Sequence, residues 1–195
     1  AIYEEIALQV RAMRKTMAEQ LEYKLLQELA QLSMEHTRFA VHFADKHAGA
    51  QGMDEVEFYM SANPGQPLRA LSEIASGGEM SRIMLAFKTV LAQNEHIGTL
   101  IFDEIDTGIG GNIVVKVAEK LKLVSRYAQV ICVTHSPQIA AKADAHFQIQ
   151  KHTTENETIT NVQMLDNEGA VYELARMLGG EEDYQLQHAK ELKSR

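Results

Sequence analysis

Cysteine is almost absent from this 195-residue chain: Cys132 is the only one. A single thiol forms no internal disulfide, so a reducing, cytoplasmic setting is the natural expectation. Cys132 lies in the apolar run Val130-Ile131-Cys132-Val133 without a basic neighbour, which marks it as a packed side chain rather than a nucleophile. Long apolar runs are lacking too. No stretch approaches the roughly 20 apolar residues needed to span a bilayer. Residues 1–20 are amphipathic and mixed in charge, without the continuous apolar segment of a signal peptide. Positive charge is in deficit: the net charge of −8 disfavours a chain whose whole surface grips nucleic acid, although a local basic patch is compatible with it. No G-x-x-x-x-G-K-[ST] phosphate loop occurs anywhere. Gly108-Ile109-Gly110-Gly111 is a glycine cluster without the Lys or the spacing. There are no internal repeats.

What is present suffices for a core, since 45% of residues are hydrophobic. The chain starts at Ala1 rather than Met, as a segment of a longer polypeptide would. Residues 1–36 read as one long helix free of Gly and Pro. Ile2, Ile6, Val10, Met13, Met17, Leu21, Leu25, Leu29 and Leu32 recur at steps of three or four. The mean step of about 3.75 makes a helical stripe but not a heptad seam. Such a helix is either a core element or the base of an antiparallel coiled-coil arm whose other strand lies elsewhere. Alternation at Phe39, Val41 and Phe43, and again at Val56, Phe58 and Met60, predicts a hairpin with a loose connection over residues 44–53.

From residue 76 the pattern becomes α/β. A helix is expected over residues 80–94, a short apolar strand at 99–102, a helix through Val114, Val117, Leu121 and Val124, and a second apolar strand at 128–133. Strand, helix and strand in that order imply a buried parallel pair. Ser136-Pro137 reads as an N-cap and first helical residue. Phe147, Ile149, Ile159, Val162 and Met164 suggest an edge hairpin turning at 153–157. Val171, Leu174, Ala175 and Leu178 mark a last amphipathic helix stopped by Gly179-Gly180.

Three places carry chemistry. The strand Thr99-Leu100-Ile101-Phe102 ends in Asp103-Glu104, and ligands of open parallel sheets bind beyond such strand ends. An Asp there can hold Mg²⁺, directly or through water, and a neighbouring Glu can orient and deprotonate a water. The next strand ends in Thr134-His135-Ser136, which puts His135 on the same sheet edge if the strands are neighbours. Ser76-Gly77-Gly78-Glu79 opens a helix; Ser-x-x-Glu is a capping box. The two glycines, which cost helix stability, also let backbone amides approach an anion at the positive end of the helix.

Taken together, these stretches resemble ABC-type ATPases. Ser76-Gly77-Gly78-Glu79 is similar to the signature motif, Leu100-Ile101-Phe102-Asp103-Glu104 to the Walker B strand, Ile105-Asp106 to the D-loop, and His135 to the switch histidine. The long leading helix points to the SMC-like branch, which includes DNA repair ATPases. Glu79 replaces the common Gln and Ala75 the common Leu, both of which fit that branch. The resemblance implies an α/β fold: the C-terminal lobe of an SMC-like head with a parallel sheet (residues 37–195), plus a coiled-coil helix at the base of an arm (residues 1–36). The phosphate loop would lie in an N-terminal half across the coiled coil. It further implies that two heads, as a homodimer, sandwich two ATP molecules. Ser76, Gly77, Gly78 and Glu79 of one head would face nucleotide held on the other. Asp103 would support Mg²⁺, Glu104 would activate water, Asp106 would link the sites, and His135 would sense the γ-phosphate. DNA double-strand break repair and recombination in the cytoplasm, at the nucleoid and away from membranes, is the implied setting. An ABC transporter ATPase fragment and a non-catalytic coiled-coil interaction module are the alternatives.

Overall fold

The computed structural model describes residues 2–73, 77–92, 97–153 and 157–194, and the chain divides into two compact units, Ala1–Gly98 and Thr99–Arg195. The first unit is built on helix α1 (Ile2–Gln31), a long hairpin of β1 (Arg38–Gly49) and β2 (Gly52–Ser61), a short strand β3 (Arg69–Ala70) added to β2, and helix α2 (Gly77–Leu91). No helix among the described residues is long and apolar enough to cross a membrane.

Helix α1 stops at Gln31, short of the expected residue 36. The Met34 amide bonds back to the Leu29 carbonyl at 3.1 Å, Ser33 takes a left-handed φ of 63°, and Met34 and Leu29 are both buried. This is a Schellman-type stop, with serine in the place glycine usually fills. The apolar stripe also divides. A mean step of about 3.75 against the helical 3.6 rotates the stripe by about 120° from one end of α1 to the other. Leu25 and Leu29 are therefore fully buried, while Ile2, Ile6, Met13 and Met17 stand in solvent.

The hairpin differs from expectation in length. Its ladder runs from Arg38 opposite Ser61 to Asp45 opposite Asp54, shifts register, and closes at Gly49 opposite Gly52, so only Ala50 and Gln51 connect the strands. Phe39, Val41 and Phe43 pair with Met60, Phe58 and Val56, so all six share one face. Phe39, Phe58 and Phe87 of α2 form an aromatic cluster with centroids 5.5–5.7 Å apart. Further along the same face the apolar pattern gives way to Asp45 and Asp54. Two carboxylates directly opposite each other repel, and α1 resolves the conflict. Arg11 donates to both, and Arg14 lies 3.4 Å from Asp54, whose side chain is almost wholly buried. The alternation disappears at residue 44 because the hairpin there pairs with arginines rather than with a core. Glu22 accepts from the Val41 amide at 2.7 Å and Tyr3 bonds Gly49 at 2.9 Å, so the hairpin is fastened along most of α1. Leu25, Leu29, Leu32, Met60, Ile83 and Leu85 are fully buried, each contributing about 1.5–3 kcal/mol.

The second unit holds the parallel pair β4 (Thr99–Phe102) and β5 (Gln129–Cys132) joined by α3 (Asn112–Val124). There follow a short helix α4 (Pro137–Ala141), an antiparallel hairpin of β6 (His146–Thr153) and β7 (Thr158–Leu165), and helices α5 (Asn167–Met177) and α6 (Asp183–Ser194). Asp166 caps α5 through the Gly169 amide at 2.7 Å. Helix α6 is an addition to the expected elements. It is polar along most of its length and buries only Ala189, against Leu174, Ala175, Ala140 and Ala141, so it shows little apolar periodicity.

Replacing Arg11 with Met leaves the Asp54 carboxylate buried with only Arg14 nearby. The denaturant midpoint should fall, by less than complete loss of the pair would cause because Arg14 still reaches Asp54. Denaturant titration measures this. An unchanged midpoint would mean that the pair behaves as an ordinary surface ion pair.

Candidate active site

Strands β4 and β5 are direct neighbours, in register from Thr99 opposite Gln129 to Phe102 opposite Cys132. The Val133 amide then donates to the Phe102 carbonyl at 2.9 Å, extending the pairing by one residue. Both strands consequently end at one edge, and the structure brings Asp103, Glu104 and His135 to it. All three are exposed, and the His135 imidazole is 83% accessible.

The loop after β4 has to do two opposite things within four residues. Asp103 and Glu104 point to water, whereas Ile105 is fully buried and Asp106 nearly so. Two outward residues followed by two inward ones cannot be extended chain, where side chains alternate. The break falls at Glu104, whose φ of 56° is left-handed, and a turn closes from the Thr107 amide to the Glu104 carbonyl at 3.0 Å. That conformation costs a residue with a Cβ about 1–2 kcal/mol. Burial of Ile105 and the hydrogen bonds of Asp106 offset it. Non-glycine backbone in this region gathers at functional sites.

Asp106 ties the two strand ends together. One of its carboxylate oxygens accepts from the Thr134 hydroxyl, from the His135 amide at 3.2 Å and from the Ser136 amide at 3.1 Å. It also lies 3.6 Å from the His135 Nδ1. The acidic loop and the histidine loop are thus clamped by one buried side chain. The Asp106 carboxylate is thus engaged by the histidine loop of the same chain. Ser136 stands at the expected cap position of α4, but its hydroxyl bonds Gln138 at 2.8 Å and makes no cap bond.

The signature-like segment belongs to the first unit. Gly77 begins α2 and is exposed, Gly78 and Glu79 are half-buried in the first turn, and Ser76 lies outside the described residues. Sequence reasoning passed over Arg82, one turn further on. It is buried, and that burial holds its guanidinium below the ordinary pKa, with the Glu79 charge opposing. Thr134 was also passed over as a donor; its place between an apolar strand and His135 was the available signal. Among the described residues no cluster of three or more His, Cys, Asp and Glu forms a metal cage. Exposed Asp103, with Glu104 beside it, nevertheless fits Mg²⁺, which keeps most of its waters and takes one or two carboxylates plus phosphate oxygens.

No protein-family model matches the chain. It is 43% identical over 186 residues to the DNA repair protein RecN of Halalkalibacterium halodurans and 45% identical over 188 residues to that of Treponema pallidum, each match covering 92% of the chain. The chain is a segment of the RecN family. It spans about a third of the length of these relatives, 33% of each. The fold of the RecN segment resembles part of an SMC head domain. The Smc head domain with a coiled coil and joint from Pyrococcus yayanosii superposes with a TM-score of 0.56 at 22% identity, over 84% of this chain and 30% of that one. The α/β architecture with a long leading helix expected above is therefore observed.

Cys132 sits under this edge, and burial, followed by the charges of Asp106 and Asp103, pushes its thiol pKa up to about 12. The thiolate is the reactive form. Iodoacetamide at pH 8 should therefore leave Cys132 unmodified in the native RecN segment and alkylate it once the chain is unfolded. Rapid native alkylation, read by mass spectrometry, would show that the strand end is open.

Proposed function

We propose that this chain supplies the hydrolytic residues of one ATP site and the signature segment of another, in an SMC-like DNA repair ATPase whose phosphate loop lies elsewhere in the longer protein. The observation that carries the reading is the meeting of Asp103, Glu104 and His135 at one strand edge, clamped by Asp106. RecN-type sequence and the SMC-head fold support it.

In this reading Glu104 accepts the proton of the attacking water; its left-handed backbone turns it out of the sheet while Ile105 anchors the loop. His135, exposed beside it, donates a hydrogen bond to the γ-phosphate. Asp103 would hold Mg²⁺, which would supply positive charge against the phosphate oxygens. Asp106 keeps base and histidine in a fixed relation. Ser76, Gly77, Gly78 and Glu79 present a helix start to nucleotide bound on a second, identical head. Residues 1–36 form the base of an antiparallel arm, residues 37–195 the C-terminal half of the head, and ATP-driven closing of two heads moves the arms on DNA. The outward stripe of Ile2, Ile6, Met13 and Met17 supports a partner helix there. A cytoplasmic, nucleoid-associated location accompanies this role.

The isolated chain should hydrolyse no ATP, because a helix N-terminus contributes only about 0.3–1 kcal/mol toward an anion when exposed. The complete protein should hydrolyse it with Mg²⁺. There Glu104→Gln should preserve ATP binding and slow turnover by about 10²–10⁴-fold, the usual contribution of a general base. Single-turnover phosphate release measures both. Near-normal turnover of Glu104→Gln, or Glu104-dependent turnover by the chain alone, would refute the assignment.

A further inference from the structure

The His135 imidazole is exposed, and an exposed side chain ordinarily moves between rotamers within nanoseconds. One edge of this ring nevertheless has a fixed neighbour. Its Nδ1 lies 3.6 Å from a carboxylate oxygen of Asp106, whose side chain is only 2% accessible. In a histidine the contact made by one nitrogen decides what the other can do. With Nδ1 turned to Asp106, Nε2 is the nitrogen left to face a ligand. The aim of Nε2 is then only as firm as the Asp106 carboxylate.

That carboxylate is held through a single oxygen. Oδ2 takes all of the hydrogen bonds, while Oδ1 is buried and has no partner among the described residues. Rotation about the Cβ–Cγ bond would exchange the two oxygens, and this terminal torsion is broad in aspartate. Two of the donors to Oδ2 are backbone amides, those of His135 and Ser136, at 3.2 and 3.1 Å. The third is the Thr134 hydroxyl, the one side-chain donor to Asp106 among the described residues. The Thr134 hydroxyl is itself fixed. The Ser136 amide donates to its oxygen at 3.0 Å, and the single hydroxyl proton goes to Asp106. The side chain is also stiff at χ1, because it is β-branched. Ser136 does not stand in for it, since the Ser136 hydroxyl bonds Gln138 at 2.8 Å.

We propose that Thr134 is a positioning residue: through Asp106 it holds the His135 ring with Nε2 toward the γ-phosphate. The proposal rests on the ATPase reading and adds to it a residue that touches neither nucleotide nor metal. Backbone amides fix where the histidine loop lies against Asp106, and they do so whatever side chains the loop carries. The hydroxyl fixes the carboxylate against rotation, and so fixes which way the imidazole looks.

Single-turnover ATP hydrolysis by the complete protein with Mg²⁺ tests this. Thr134→Val keeps the shape of the side chain and removes the hydroxyl. It should slow turnover by about ten-fold or more, the scale of a lost hydrogen bond to a charged group, without changing the half-saturating ATP concentration. Thr134→Ser keeps the hydroxyl and should restore the rate. If Thr134 acts through His135, adding Thr134→Val to His135→Ala should cost nothing further, because the two changes then remove one interaction. Thermal melting without nucleotide checks that each variant is folded, and Thr134→Ala takes the place of Thr134→Val in the same cycle should the valine variant not fold. A normal rate for Thr134→Val, a serine variant as slow as the valine one, a loss confined to ATP affinity, or full additivity with His135→Ala would each overturn the positioning role. Glu104→Gln, measured alongside, separates the two levels. Its normal turnover would defeat the ATPase reading and the positioning role with it, whereas slow Glu104→Gln beside normal Thr134→Val would defeat the positioning role alone.

Discussion

The pairing of β4 with β5 is the constraint from which the site follows. Four residues on each strand fix the register, and the register decides which loop residues meet. A slip of one residue would turn every side chain on a strand to the opposite face. Phe102 would then leave the core and Ile101 enter it, and the loop would deliver Asp106 to water. The Asp106 hydrogen bonds to Thr134, His135 and Ser136 lock the pairing from beyond its end, and Ile105 locks it from within. Precision at the edge is thus obtained from one buried carboxylate and one buried isoleucine, while the groups suited to chemistry stay in solvent.

The parts of the molecule that could be read from the sequence are those where one period governs. The apolar strands at 99–102 and near 130, the helix between them and the hairpin at 146–165 each follow a single pattern and appear where expected. Asp103, Glu104 and His135 were legible because they punctuate apolar strands. The failures occur where a charged interaction replaces apolar burial. The first hairpin looked shorter because Asp45 and Asp54 interrupt its alternation, and nothing local reveals that Arg11, more than thirty residues earlier, answers them. Helix α6 was missed because it buries a single alanine. Thr134 was missed because its hydroxyl gains its meaning only from Asp106, distant in the chain, and Arg82 because nothing local reveals that a guanidinium is buried.

The same reasoning separates the two halves of α1. Toward Leu25 the helix is a core element, with fully buried side chains. Toward Ile2 it is held to the hairpin by polar contacts, and its apolar residues look elsewhere. The core-helix reading therefore holds for the Leu25 end, and the rotation of the stripe leaves the apolar side chains of the Ile2 end exposed.

The fastening of the hairpin to α1 has a mechanical consequence. A bare helix of 30 residues, about 45 Å long, bends readily under a sideways load. Here a two-stranded ribbon runs beside it and is pinned near both ends, at Glu22 to Val41 and at Tyr3 to Gly49, with the arginine clamp between. Such a composite resists flexure as a laminated beam does, since bending would have to shear every pin. A push at the Ile2 end would arrive at Leu25 as a rotation of the whole rod, and the compliance of the assembly would lie outside it.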